Sequence, residues 1–97
     1  MELHFEWDGR KNEQNRRKHG VSFEEAQDVF YDEHALLIAD PDHSEREERF
    51  ILLGLSGRLR TLVVCHCYRR RGAVIRLISA RKANQAECEL YERKWKE

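Results

Sequence analysis

Leu3, Phe5 and Trp7 alternate with polar neighbours, the period-two pattern of a short strand with one buried face. Asp8 follows as a helix N-cap, and the helix it opens stops at His19-Gly20, where glycine suits the C-cap. Residues 9–18 contain no apolar side chain, so this helix has no hydrophobic stripe. Ser22 and Glu25 then have capping-box spacing, with Val21 placed to staple onto Ala26. Phe23, Ala26 and Phe30 predict the buried stripe of a second helix ending near Tyr31. Apolar runs predict strands at 35–40, 47–54, 59–68 and 74–81, separated by a loop at 41–44 and turns at Gly57 and 70–72. Both faces of 59–67 are largely apolar, which marks a central strand. Asn84 and Glu87 repeat the cap spacing and launch a last helix to about Lys96, with Ala83, Ala86, Leu90 and Tyr91 facing inward. The order β-α-α-β-β-β-β-α with short turns predicts an α+β domain: an antiparallel sheet packed with two N-terminal helices and one C-terminal helix.

At 97 residues the chain is expected to form a single domain, residues 1–97. Hydrophobic residues make up 40% and charged residues 37%; nine aromatics among clear apolar runs argue for a folded core rather than disorder. No apolar run approaches the ~20 residues of a membrane helix. The start, Met-Glu-Leu-His, lacks the basic and apolar regions of a secretory signal, so a cytoplasmic protein without membrane contact is expected.

The net charge of zero conceals segregation. Residues 22–50 hold ten acids against Arg46 and Arg49, whereas 51–82 hold eight bases and no acid. Seven of the eight are Arg, whose planar donor fork suits phosphate. Arg58, Arg60, Arg69 and Arg70 are therefore candidate nucleic-acid contacts; the alternative is that acidic and basic segments pair internally. Cys65 and Cys67 point to one strand face and His66 to the other, and no further ligands complete a zinc site, so packing roles are expected and no metal or cofactor is implied.

No phosphate loop, nucleophile elbow or zinc-spaced pair is present. Arg, Lys and His near strand ends instead suit metal-free RNA cleavage, in which the 2′-hydroxyl attacks the neighbouring phosphorus and cations stabilise the developing charge. Arg81, at a strand exit beyond an apolar stretch, is the leading cationic candidate. Arg76 lies in the same strand, on the opposite side of the pleat if that strand is regular. Lys18 and His19 end the first helix, where the dipole favours cationic side chains. His43, in the loop Asp40-Pro41-Asp42-His43-Ser44, is a candidate general acid or base. Tyr68 is a candidate for stacking on bases, and Glu87 chiefly for capping.

Taken together, Lys18-His19-Gly20-Val21-Ser22-Phe23, Glu48-Arg49-Phe50, Gly54 and Ile75-Arg76-Leu77-Ile78-Ser79-Ala80-Arg81-Lys82 resemble the BrnT toxins of bacterial type II toxin–antitoxin modules, a branch of the RelE-like ribonucleases. The resemblance implies a RelE-like fold and metal-independent endoribonuclease activity that inhibits translation and growth. It also implies neutralisation by a cognate BrnA-like, DNA-binding antitoxin, with operator DNA bound only through that partner. Carried onto this chain it adds Lys11 and Asn15, which match the family pattern, as RNA contacts, and points to Arg81 and Lys18-His19 as the site. A non-catalytic nucleic-acid- or protein-binding module, a degenerate toxin, is the competing expectation.

Overall fold

The computed structural model describes residues 2–40 and 48–96. The elements are β1 (Phe5–Glu6), α1 (Gly9–His19), α2 (Phe23–Ala26), a 3₁₀ segment (Gln27–Tyr31), β2 (Leu36–Ala39), β3 (Phe50–Leu55), β4 (Thr61–Arg69), β5 (Val74–Lys82) and α3 (Gln85–Trp95).

Helix α1 is fixed at its ends. Asp8 accepts from the amides of Arg10 and Lys11 at 2.8 and 3.3 Å, and Gly20, at φ 70°, donates its amide to the Arg16 carbonyl at 2.9 Å. A left-handed C-cap favours glycine there, because only it adopts that φ without a Cβ clash. Asn15 is the helix's one buried residue, while Arg16 and Arg17 pair with Glu13 on the outer side.

The second helix departs from expectation. Ser22 accepts from the Glu25 amide at 3.1 Å, but regular α winding lasts only to Ala26 before tightening to 3₁₀. The buried apolar residues are Phe23, Ala26 and Val29, spaced by three rather than the expected Phe23, Ala26 and Phe30. That spacing is the 3₁₀ period, so the tighter winding turns Val29 inward and leaves Phe30 half-buried.

The sheet order is β1-β5-β4-β3-β2. The four later strands form the expected antiparallel meander with β4 inside it, while β1 adds a parallel pair along β5, making the sheet mixed. The main core lies between the helices and one sheet face: Val21, Phe23, Ala26 and Val29 against Leu52, Leu62, Val64, Ile75, Leu77 and Ala80. The other face carries a smaller cluster, Leu53, Val63 and Tyr91, where α3 covers it. Helix α3 is also turned differently from its sequence pattern. Tyr91 is buried and Glu87 and Cys88 half-buried, whereas Ala86 and Leu90 are exposed. This rotation aims Glu87 at Arg81 and leaves much of the second face open beyond α3.

Candidate active-site cleft

An irregularity in β5 sets the geometry of the open face. Cys65 pairs with Ser79 but His66 pairs with Leu77, so Ile78 has no partner opposite and forms a bulge. Val63, Cys65 and Cys67 alternate to one face of β4, and their partners are Arg81, Ser79 and Arg76. Arg76 and Arg81 therefore share a face, contrary to the regular-strand expectation, because the extra residue flips the parity between them.

Arg81 is held by α3. Its Nη1 and Nη2 donate to the two Glu87 carboxylate oxygens at 2.8 Å each, and Nη1 also reaches the Lys82 carbonyl at 3.3 Å. Glu87 accepts from the Asn84 amide at 2.8 Å while Asn84 caps the Glu87 amide at 2.9 Å, so the capping box and the arginine clamp share one carboxylate. These bonds, Arg81 first, hold the Glu87 carboxyl below its ordinary range. The fork–fork geometry removes the freedom of a long side chain and leaves Arg81 half-exposed in a fixed place.

Arg81 opens onto a cleft of about 290 Å³ lined also by His19, Asp40, Arg49, Cys65 and Ser79. The Cys65 thiol lies 3.6 Å from Asp40 Oδ2, to which it donates. Burial, then the Asp40 charge, push this thiol up to about 11, so it is protonated at neutral pH. Asp40 and Arg49 are brought together by the β2–β3 ladder, through the Asp40 amide bonded to the Arg49 carbonyl at 3.0 Å. Arg49 carries a buried Nε with no hydrogen bond among the described residues. A second hollow, about 230 Å³, is lined by Lys11, Gln14, Asn15, Lys18, His19, Ile78 and Ser79. His19, Ile78 and Ser79 belong to both, so the basic side of α1 runs into the Arg81 cleft at the bulge. A larger hollow of about 460 Å³ near Asp28 and Asp32 is acidic and unsuited to phosphate.

Of the residues singled out in the sequence, Arg81 and His19 meet in the cleft, with Lys18 and Lys11 beside it. Three others have internal work. The Asn15 carboxamide is buried and bonded to the Val21 carbonyl and to the carbonyl and amide of Ala80, so both its amide hydrogens are engaged within the protein. Arg60 forms a two-point ion pair with Glu25, one bond of it at 2.9 Å, and donates to the Gly20 carbonyl at 3.0 Å. Arg76 donates to Glu6 at 2.8 Å and is not among the residues lining the cleft. Each of these residues is bonded within the protein, and for Arg60 and Arg76 the partner is an acid, as in the internal pairing that the charge pattern left open. Arg58 stays largely exposed, 3.9 Å from Glu25, and Arg69 lies 3.6 Å from Glu6. Arg70 is exposed at the β4–β5 turn. His43 lies outside the described residues.

Asp40, Arg49, Cys65 and Ser79 were not singled out for the site. Asp40 and Arg49 flank the β2–β3 ladder while Cys65 and Ser79 pair across β4 and β5, a proximity unreadable until the strand pairing is known. Among the described residues no group of three or more His, Cys, Asp or Glu side chains is placed to hold a metal ion. No helix among them is long and apolar enough to cross a membrane.

A family model described as the ribonuclease toxin BrnT of type II toxin–antitoxin systems matches residues 7–87. Comparison with curated proteins finds no match. Among solved structures, the crystal structure of the Brucella abortus ribonuclease toxin BrnT superposes with a TM-score of 0.64 at 22% identity, covering 87% of this chain and 100% of that one. At that identity the likeness establishes the shared α+β fold.

Proposed function

The chain belongs to the BrnT family of ribonuclease toxins of type II toxin–antitoxin systems, and on that premise we propose that the His19–Arg81 cleft is an endoribonuclease site that works without a metal ion. The observation that carries this reading is the convergence of a clamped, half-exposed arginine and a histidine on one open cleft beside a basic helix side. In the proposed reaction the substrate 2′-hydroxyl loses its proton and its oxygen attacks the adjacent phosphorus. The bond from phosphorus to the 5′-oxygen then breaks, and a proton goes to that oxygen. The products are a 2′,3′-cyclic phosphate and a 5′-hydroxyl. Arg81 is aimed at the charge that grows on the non-bridging oxygens, the kind of preorganised donor that usually contributes most to such catalysis. His19 is the proton-transfer group at the other side of the cleft, worth ~10²–10⁴-fold when well placed. Lys18, Lys11 and Arg49 hold flanking phosphates, and Arg58 and Arg69 extend the basic surface; His43 is a second candidate for proton transfer.

A type II toxin has an antitoxin partner. The finer reading is a BrnA-like, DNA-binding antitoxin that covers this cleft and carries the operator contacts, acting with the toxin in the cytoplasm to hold back cleavage of RNA and arrest of growth. The chain acts as one domain over residues 1–97.

The test is incubation of the purified protein with mixed RNA in EDTA beside Arg81→Ala, with circular dichroism to confirm the fold. Cleavage by the parent and not by the variant is expected, with cyclic phosphate ends. Binding without cleavage by either protein would make it a non-catalytic binding module, and equal cleavage by both would remove Arg81 from the site.

A further inference from the structure

On the helix side of the sheet, below the 3₁₀ segment, the aromatic residues Phe30, Phe50, His66 and Tyr68 form one cluster. Ring centroids of Tyr68 lie 5.4 Å from Phe50 and 5.2 Å from His66, and Phe30 lies 4.8 Å from His66. Three of these rings are buried or half-buried, but Tyr68 is 40% exposed. Its hydroxyl sits 3.2 Å from His66 Nε2, which fixes the ring in place. Tyr68 forms one wall of a largely apolar slot of about 480 Å³ whose other walls include Leu3, His4, Phe30, Ala73 and Ile75, with Glu2 at its border. The slot is roomy enough for a nucleobase and unused by the cleft chemistry.

The slot borders the β4–β5 turn, and that turn is built against local preference. Arg70 and Arg71 both have positive φ, 53° and 59°, at the two central positions where Asn-Gly is the usual choice. The Gly72 amide closes the turn on the Arg69 carbonyl at 3.1 Å. Neither arginine makes an ion pair among the described residues, and both are exposed. Two arginines held in a left-handed conformation that other residues would adopt at lower cost imply selection for the guanidinium groups rather than for the turn. An aromatic face beside unpaired cations is the chemistry of a stacked base with its phosphate.

We propose that Tyr68 and the Arg70–Arg71 turn form a second RNA subsite, on the sheet face opposite the cleft, where a base stacks on Tyr68 and the adjoining phosphates meet the two arginines. This rests on the RNA-cleaving reading above. A strand leaving Arg81 passes Arg76 and Arg69, which share the cleft face of β4 and β5, and turns over the hairpin tip into the slot. At ~3.3 Å per residue β5 is about 26 Å from end to end, so only a strand longer than the cleft itself reaches the subsite.

The experiment measures binding of a long 2′-O-methyl single-stranded RNA, which lacks the attacking hydroxyl and is not cut, by fluorescence anisotropy across a salt series. Cleavage of a short unmodified RNA confined to the cleft is measured in parallel. The double variant Arg70→Gly/Arg71→Gly places glycine where φ is positive, so its thermal midpoint is expected to rise. Its affinity for the long strand is expected to fall roughly tenfold, and its salt slope to drop by about 1.4, the value for two phosphate contacts on a single strand. Tyr68→Ala is expected to lose roughly tenfold as well, with Tyr68→Phe retaining the parent's affinity because the ring remains. Short-RNA cleavage stays unchanged in all three. Long-strand affinity and salt slope unchanged in the double variant overturn the subsite while leaving the cleft assignment intact. A parent that binds no RNA at low salt overturns both.

Discussion

The carboxamide of Asn15 pairs with the Ala80 peptide as a neighbouring strand would: Nδ2 donates to the Ala80 carbonyl at 2.7 Å, and the Ala80 amide donates to Oδ1 at 3.1 Å. The partner strand β1 covers β5 only along Ile75 and Arg76, so beyond it one side chain completes the sheet edge next to Arg81. The same Nδ2 donates to the Val21 carbonyl at 2.8 Å, tying the α1–α2 link to that edge. Asn15→Ala leaves buried backbone groups unpaired and is expected to cost about 2–4 kcal/mol in urea unfolding. Asn15→Asp should cost at least as much, because a carboxylate cannot donate to either carbonyl. A change within about 0.5 kcal/mol for both would mean the edge is satisfied without this residue.

Glu87 acts on the cleft through Arg81, and its role is positioning. Glu87→Gln keeps an acceptor for the Asn84 amide but loses the charged two-point clamp. The expected result is kcat lowered roughly 10–100-fold with KM changed little, as for a misplaced group at a reacting centre. The thermal midpoint should move by only a few degrees. If kcat is preserved, Arg81 finds its place without the clamp.

The acid limb of stability should have two stages. Burial holds the His66 ring below its ordinary value, so the unfolded chain takes up that proton first. The His66 contribution is therefore complete above about pH 6.5 and declines as pH falls toward the folded value, by at most about 1.4 kcal/mol per pH unit. Arg60 beside Glu25 and Arg81 beside Glu87 hold both carboxyls low, so their contributions are complete above about 4.5 and are lost as pH falls through the folded values. Urea midpoints against pH are expected to begin falling near 6.5 and to steepen below 4.5. His66→Leu should abolish the upper stage; a flat profile between pH 7 and 5 in the parent would contradict it.

Cys65 is expected to be a poor nucleophile despite its place in the cleft. With its thiol pushed up to about 11 by burial and Asp40, alkylation by iodoacetamide at pH 8 should be roughly a hundredfold slower in the native protein than in the denatured chain. Asp40→Asn should speed it by removing the nearby charge. Peptide mapping by mass spectrometry reads both rates, and equal native and denatured rates would mean an accessible thiolate.

At Gly54, β3 packs tightly against Val29 of the 3₁₀ segment and the residues that follow it. A Cβ there would lie 2.8 Å from Val29 Cγ1 and 3.0 Å from both Ala35 Cβ and Asp32 Oδ2. Asp32 is itself engaged, accepting from the Leu55 amide at 2.8 Å and the Tyr91 hydroxyl at 2.5 Å. Gly54→Ala is expected to destabilise by about 1–3 kcal/mol, measured by thermal unfolding. An unchanged midpoint would show that the segment shifts freely.

The sequence by itself determined the elements, because capping and periodicity act within a few residues. Asp8, Gly20, Ser22 and Asn84 mark helix ends through their own hydrogen bonds, and short turns force the antiparallel meander. The family boxes likewise placed His19 and Arg81 on separate element ends before any contact was known. The tertiary structure alone decided what lies between distant residues. The bulge at Ile78 is a mismatch between two strands and sets Arg76 on the same face as Arg81. The rotation of α3 toward Arg81 overrides its apolar pattern. Asn15 reads as a nucleic-acid contact from the family resemblance and Arg60 from the charge pattern, yet their partners are Ala80 and Glu25, 65 and 35 residues away in the chain. A polar side chain's role is set by the nearest group able to bond it, and over such separations only the folded packing brings that group near.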